Sequence, residues 1–245
     1  MKFHAICVLA AMLICAAEPD ETRFGPGGAF QLEYRKDDFG LRSHGVLERV
    51  GASSKLYSLP QSDFATYAKL RPKDVELNPL NATANQYDRE EAIGPHQVEA
   101  GRLWFGKVFY DGEGMRGVGA FGYFDTQTRG YQLFSPPEMA SYEVSAILVE
   151  ADAVWLGLDH FGEDISKFPG GLVRWDRKTR AVRRYPIEFV VNTIGREGDS
   201  LRLTTNGGYA LLKNGAIRRF AVNLGAGGKE KTTPIARFPP PPSHN

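Results

Sequence analysis

Two stretches of the chain gather side chains able to do chemistry. One runs from Lys107 to Gly117 and holds Tyr110, Asp111 and Glu113; the other runs from Asp159 to Pro169 and holds Asp159, His160, Glu163 and Asp164. Carboxylates with one imidazole form a ligand set for calcium or another hard divalent cation. A histidine and a tyrosine together are fit for proton transfer. Neither stretch has a diagnostic spacing: the Asp-x-Asp-x-Asp-Gly calcium loop and the His-Glu-x-x-His zinc helix are both missing. So are the Gly-x-Ser-x-Gly elbow, the P-loop and the dinucleotide fingerprint. Gly112–Gly119 is glycine-rich but no convincing helix follows it, which argues against a phosphate cradle. Solvated acidic loops are the plainer reading of both stretches, with His160 as a surface histidine. His44, beside Asp37 and Asp38, is a secondary candidate, while His96 and His244 have no matching spacing.

The elements that must position these residues are short strands. Ala153–Leu158, Gly171–Trp175 and Ala181–Tyr185 are apolar runs separated by polar, Gly-rich segments, with a tight turn at Asp176–Thr179. Such runs read as an antiparallel meander. The meander recurs: Trp104 and Trp155, Gly106 and Gly157, Phe124 and Trp175, Asp125 and Asp176, Thr128 and Thr179, and Phe134 and Tyr185 all lie 51 positions apart. A compressed copy spans 187–223, where Leu201–Leu203 answers Val154–Leu156 and Asn214-Gly215 supplies a two-residue hairpin turn. A weaker copy spans 29–60. Residues 61–95 interrupt the pattern and read as an insertion carrying one strand, with a short helix expected over Ser62–Leu70. In each full copy the acidic stretch falls between the first two runs, which projects both as loops on one face, the favoured place for binding. Arg174, Arg177, Lys178, Arg180, Arg183 and Arg184 gather on the second and third runs. They read as charged outer strands that discourage edge pairing, or as a face for an anionic polymer.

Gly101–Gly106 (GRLWFG), Ala153–Gly157 (AVWLG), Gly170–Asp176 (GGLVRWD) and Thr205–Phe220 (TNGGYALLKNGAIRRF) resemble β-propeller repeats. The closest likeness is to the two-component-regulator propeller repeats of bacterial periplasmic sensors. It implies an all-β fold, a small β-propeller of four or five blades, each a four-stranded antiparallel meander, with a partial or irregular ring as the variant. It transfers no catalytic residue, because the shared positions are structural. The sensor arrays are much longer and lead into a membrane span and signalling domains that this sequence does not show. The Leu103-Trp104-Phe105 motif is also similar to the blades of bacterial streptogramin lyases. That likeness implies a metal-assisted enzyme, for which His160 and Tyr110 are the acid–base candidates in this sequence, although those lyases are longer and their counterpart motifs are missing here.

Lys and Arg total 30 against 29 Asp and Glu, so a net charge of +1 gives no global attraction for nucleic acid. Met1–Ala17 opens with Lys2, continues as an apolar run and ends with small residues at Cys15 and Ala17. It reads as a secretory leader cleaved after Ala17, too short for a membrane span. Lipidation at Cys15 is the weaker alternative, since Ile14 is bulky where small residues are wanted. Both cysteines lie in this leader, so the exported chain is expected to carry neither disulfide nor thiol. The expected organisation is a leader (1–17), a flexible lead-in (18–28), a propeller-like domain (29–238, with the insertion 61–95) and a Pro-rich tail (239–245). The expected function is an exported, non-enzymatic binding or scaffold module. It would recognise a protein or glycan through its loop face, with no nucleic acid partner and no transmembrane span. The competing expectation is a small metal-assisted propeller enzyme, a lyase or lactonase-like hydrolase.

Overall fold

Four successive antiparallel meanders account for most of the described chain. The computed structural model describes residues 23–37, 40–62, 69, 91–109, 118–140, 142–159, 170–185, 187–224 and 230–238. The first meander is β1 (Phe30–Asp37), β2 (Gly40–Val50) and β3 (Ser53–Ser58). The second is β4 (Glu91–Glu99), β5 (Arg102–Phe109), β6 (Phe121–Asp125) and β7 (Gly130–Phe134). The third is β8 (Glu143–Val149), β9 (Ala153–Asp159), β10 (Gly170–Asp176) and β11 (Val182–Tyr185). The fourth is β12 (Thr193–Glu197), β13 (Ser200–Thr205), β14 (Gly208–Lys213) and β15 (Ala216–Leu224), with β16 (Glu230–Ile235) added on its edge. A single pairing, Ser43 with Ile93, links the first two meanders edge to edge into one seven-stranded sheet; each of the four meanders is nevertheless taken as a sheet of its own. Among the described residues no strand of the first meander pairs with the fourth, so no closed ring is seen. No described helix is long and apolar enough to cross a membrane.

Local chemistry makes the repeat. At the third turn of the second and third meanders, Asp125 accepts the N–H groups of Gln127 and Thr128, and Asp176 accepts those of Lys178 and Thr179. Arg129 and Arg180 then close the two turns with positive φ, 53° and 61°. The aspartate mimics a backbone turn and lets an arginine sit where glycine is usual. The two turns are therefore the same structure, 51 residues apart.

Packing between neighbouring sheets explains the repeated tryptophan and glycine. Trp104 lies with Phe121, Val144, Leu156 and Trp175 in the core between the second and third sheets. Trp155 lies with Ile187, Phe189, Val191 and Leu203 in the core between the third and fourth. A Cβ on Gly106 would fall 2.2 Å from the Val144 side chain, and one on Gly157 would fall 2.8 Å from the Val191 carbonyl oxygen. Each glycine thus permits close approach of the next sheet. A third core, around Phe30, Val46, Phe105 and Phe124, joins the first sheet to the second. At the edge of each core an arginine from the later sheet clasps a glutamate of the earlier one. Arg129 grips Glu48 in bidentate fashion, Arg177 reaches Glu99 at 2.8 Å, and Arg196 holds both oxygens of Glu150.

The basic cluster of the third sheet is dispersed by the alternation of the strands. Arg174 pairs with Asp152 and Asp176, and Arg177 lies over the Trp104 ring. Arg180 lies over Phe134, Arg183 over Tyr185, and Arg184 over Tyr142. Each of these guanidinium groups has a partner within the sheets.

Candidate binding site at the loop-bearing end

The connections β5–β6 and β9–β10 leave the same end of two adjacent sheets. Tyr110, Asp111 and Glu113 lie in the first and His160, Glu163 and Asp164 in the second; all six fall outside the described residues. Asp159 is described: it is the last residue of β9, half-buried, opposite Gly170 on one side and Glu143 on the other. The described residues beneath both connections form a floor with two parts.

One part of that floor is a buried ion pair. Glu91 opens β4 and Lys107 lies near the end of β5, each with a side chain only 1% exposed. Lys107 Nζ donates to Glu91 Oε2 and to the Pro60 carbonyl at 2.8 Å. The Glu91 carboxylate also accepts the N–H of Ser62 at 2.8 Å and that of Val118 at 3.0 Å. The Glu91 carbonyl accepts from Gln61 Nε2 at 3.1 Å and sits 3.2 Å from His44 Nδ1. A charge so buried persists only when paired and hydrogen-bonded, and here both members are. The network pins residues 60–62 and 118, which flank the two segments leading away from this end. His44 is thereby placed in the framework. His96 contacts the Gly94 carbonyl within its own strand, and His244 lies outside the described residues.

The other part is Glu143, which opens β8 as Glu91 opens β4. Its Oε2 accepts the N–H of Phe109, the last residue of β5, across the boundary between the two sheets. Burial pushes its carboxyl up to about 7; the Phe109 N–H and Arg42 oppose that shift, while the charge of Asp159 adds to it. Directly opposite residues of antiparallel strands share a face, so Glu143 and Asp159 form a carboxyl pair at the root of both connections. Such a pair can share a proton near neutral pH or contribute to a cation site. Among the described residues no three His, Cys, Asp or Glu side chains converge on a point that would hold a metal.

Sequence reading named Asp159 among its candidates and did not name Glu91, Lys107 or Glu143. The available signal was the acid that opens the first strand of each full copy, Glu91 and Glu143. Those two are 52 positions apart rather than 51, and each strand carries an irregularity just after the acid, between Ile93 and His96 and between Val144 and Ala146.

Comparison with known proteins finds no matching family model and no matching curated protein. Among solved structures, one similar chain is the extracellular domain assigned to a hybrid two-component system of B. thetaiotaomicron. It is 14% identical with a TM-score of 0.38, and the match covers 71% of this chain and 19% of that one. A second is the extracellular domain assigned to a one-component system of the same organism, 10% identical with a TM-score of 0.38, covering 87% of this chain and 30% of that one. The chain thus spans less than a third of the length of either, and superpositions of this extent carry no argument about function.

Proposed function

We propose that the protein is an exported, non-enzymatic binding module built as a partial propeller of four irregular blades. It recognises a protein or glycan partner through the loop-bearing end. The observation that carries this reading is the rigid floor made by the Glu91–Lys107 network and Glu143 beneath two connections that leave adjacent repeats at one end. A fixed scaffold with unequal loops is an economical way to present a binding surface. Tyr110, Asp111, Glu113, Asp159, His160, Glu163 and Asp164 are its contact residues. The decisive comparison probes a glycan array and an envelope extract with the chain, and with a variant whose residues 110–117 and 160–169 are replaced by short Gly/Ser turns. Undiminished binding by that variant rules the loop face out.

One observation favours a second reading, a cation-assisted hydrolase or lyase: the carboxyl pair of Glu143 and Asp159, one member of which titrates near neutrality. A thermal melt after EDTA treatment, with calcium, magnesium or zinc returned in turn, separates the two. A cation that binds only the folded state raises the melting temperature with its concentration, and Asp159→Ala then abolishes the rise. A flat response to every cation leaves the binding module alone.

A further inference from the structure

The fourth sheet has two faces, and only one is covered by another described sheet. Its inner face joins the core with Trp155 and Phe189. Its outer face occupies the position that, in the second and third sheets, lies beneath the next sheet. There the repeat changes: Arg202 stands where Trp104 and Trp155 stand, and Thr204 stands where Gly106 and Gly157 stand. Without the tryptophan and the close-approach glycine, a fifth sheet cannot seat here in the way that the third seats on the second and the fourth on the third. Glu197, the counterpart of Glu99 and Glu150, is not clasped by an arginine from a later sheet. It pairs instead with Arg202 of its own sheet at 2.8 Å.

The face is nevertheless not a plain solvated surface. Register places Gly195, Arg202, Leu211 and Arg218 in one row across it, beside a row containing Tyr209 and Phe220. The two rings stack at 4.9 Å, with Arg202 3.6 Å from the Tyr209 centroid and Arg218 5.4 Å from that of Phe220. Aromatic side chains and arginine around a leucine are the composition of a protein interface. A Cβ on Gly195 would meet nothing within 4 Å, so the row has open space above it. Charge is divided across the face. Glu197 lies on β12, and Arg218, which has no carboxylate partner among the described residues, lies on β15.

We propose that this face binds the same face of a second copy of the chain about a two-fold axis. A two-fold axis parallel to the strands sets the β12 side of one copy against the β15 side of the other. Glu197 of each copy then meets Arg218 of its mate, and the apolar centre around Leu211, Tyr209 and Phe220 closes on itself. Five strands about 4.8 Å apart and roughly six residues long present on the order of 400 Å² of flat face per copy. The two copies together would bury about 800 Å², under the roughly 1,200 Å² at which stable interfaces begin, so the dimer is weak and concentration-dependent.

Sedimentation velocity of the purified chain from about 1 µM to about 500 µM, a range that spans weak association, tests this directly. The expected result is a monomer–dimer equilibrium that Arg218→Glu weakens by about tenfold. Gly195→Arg places a long cation on the open row at a position where the fold has room, and is expected to abolish the dimer while leaving the circular dichroism spectrum and melting temperature unchanged. A monomer at every concentration overturns the proposal and makes the fourth sheet a terminal cap. A dimer indifferent to both substitutions overturns it too, by placing the contact elsewhere.

Discussion

Glu143 is the residue whose protonation the fold most visibly controls. Its carboxyl is raised from 4.5 to about 7, chiefly by burial, so the folded chain holds this proton more tightly than the unfolded chain does. The contribution to stability is complete below pH 4.5 and is lost as pH rises through 7. The size of the shift corresponds to roughly 3 kcal/mol at most. Glu143→Gln, which keeps the shape without the charge, is therefore expected to be near neutral at pH 5 and stabilising at pH 8. Urea unfolding at the two pH values reads it out, and an equal effect at both would show that Glu143 titrates normally. Lys107 gives a prediction of a different kind. Lys107→Met leaves Glu91 as a lone buried charge, and breaking such a pair costs about 3–5 kcal/mol. A loss below about 1 kcal/mol in the same assay would mean that the pair is reached by water.

At the scale of elements, glycines separate sheets that touch from a face that is open. Gly106→Ala drives a methyl group into Val144, and overpacking of this kind costs about 1–3 kcal/mol. Gly195→Ala meets nothing and is expected to be neutral or slightly stabilising, because alanine restricts the unfolded chain more than glycine. Chemical denaturation of the two variants checks the contrast, and equal losses would remove the distinction between the two faces. The same contrast shows what the sequence made legible. Gly106, Gly157 and the Asp-x-x-Thr-Arg turns act through neighbours a few residues away or through one repeated contact, so a constant offset exposes them. Three strands of each full meander were therefore readable, and the fourth came only from the resemblance to propeller blades; β8 was not among the three runs recognised in its repeat. It has no simple alternation, because the irregularity after Val144 turns Val144 toward the core around Trp104 and Ala146 toward the core around Trp155, and no glycine or asparagine flanks it. The floor of the site was illegible for a related reason: Glu91 meets Gln61, Ser62, Lys107 and Val118 only after distant segments are brought together. The partners of the arginine cluster were not legible, because proximity in sequence says nothing about which face each side chain takes, and alternation sends Arg183 and Arg184 to different rings.

For the molecule as a whole, the described sheets form a linear array in which each is held by its neighbours. The third sheet is covered on both faces, by the core around Trp104 and Trp175 and by the core around Trp155 and Phe189. The fourth has one apolar core and an outer edge strand, β16, whose Lys231, Thr232, Thr233 and Pro234 are exposed. Lysine and proline protect such an edge from further pairing but add little to its stability. In an array of this kind stability is approximately a sum of unit and nearest-neighbour terms. Opening should therefore run inward from the fourth sheet rather than involve all sheets at once. Hydrogen exchange is expected to be slowest in β9 and β10 and faster in β14–β16. Trp155→Ala empties the shared core between the third and fourth sheets, a change worth about 3–5 kcal/mol. It should speed exchange in β12–β16 while β4–β7, which rest on Trp104 and Val144, keep most of their protection. Uniform loss of protection across all four meanders would show instead that the array unfolds as a single cooperative unit, with the coupling between sheets exceeding the stability of any one of them.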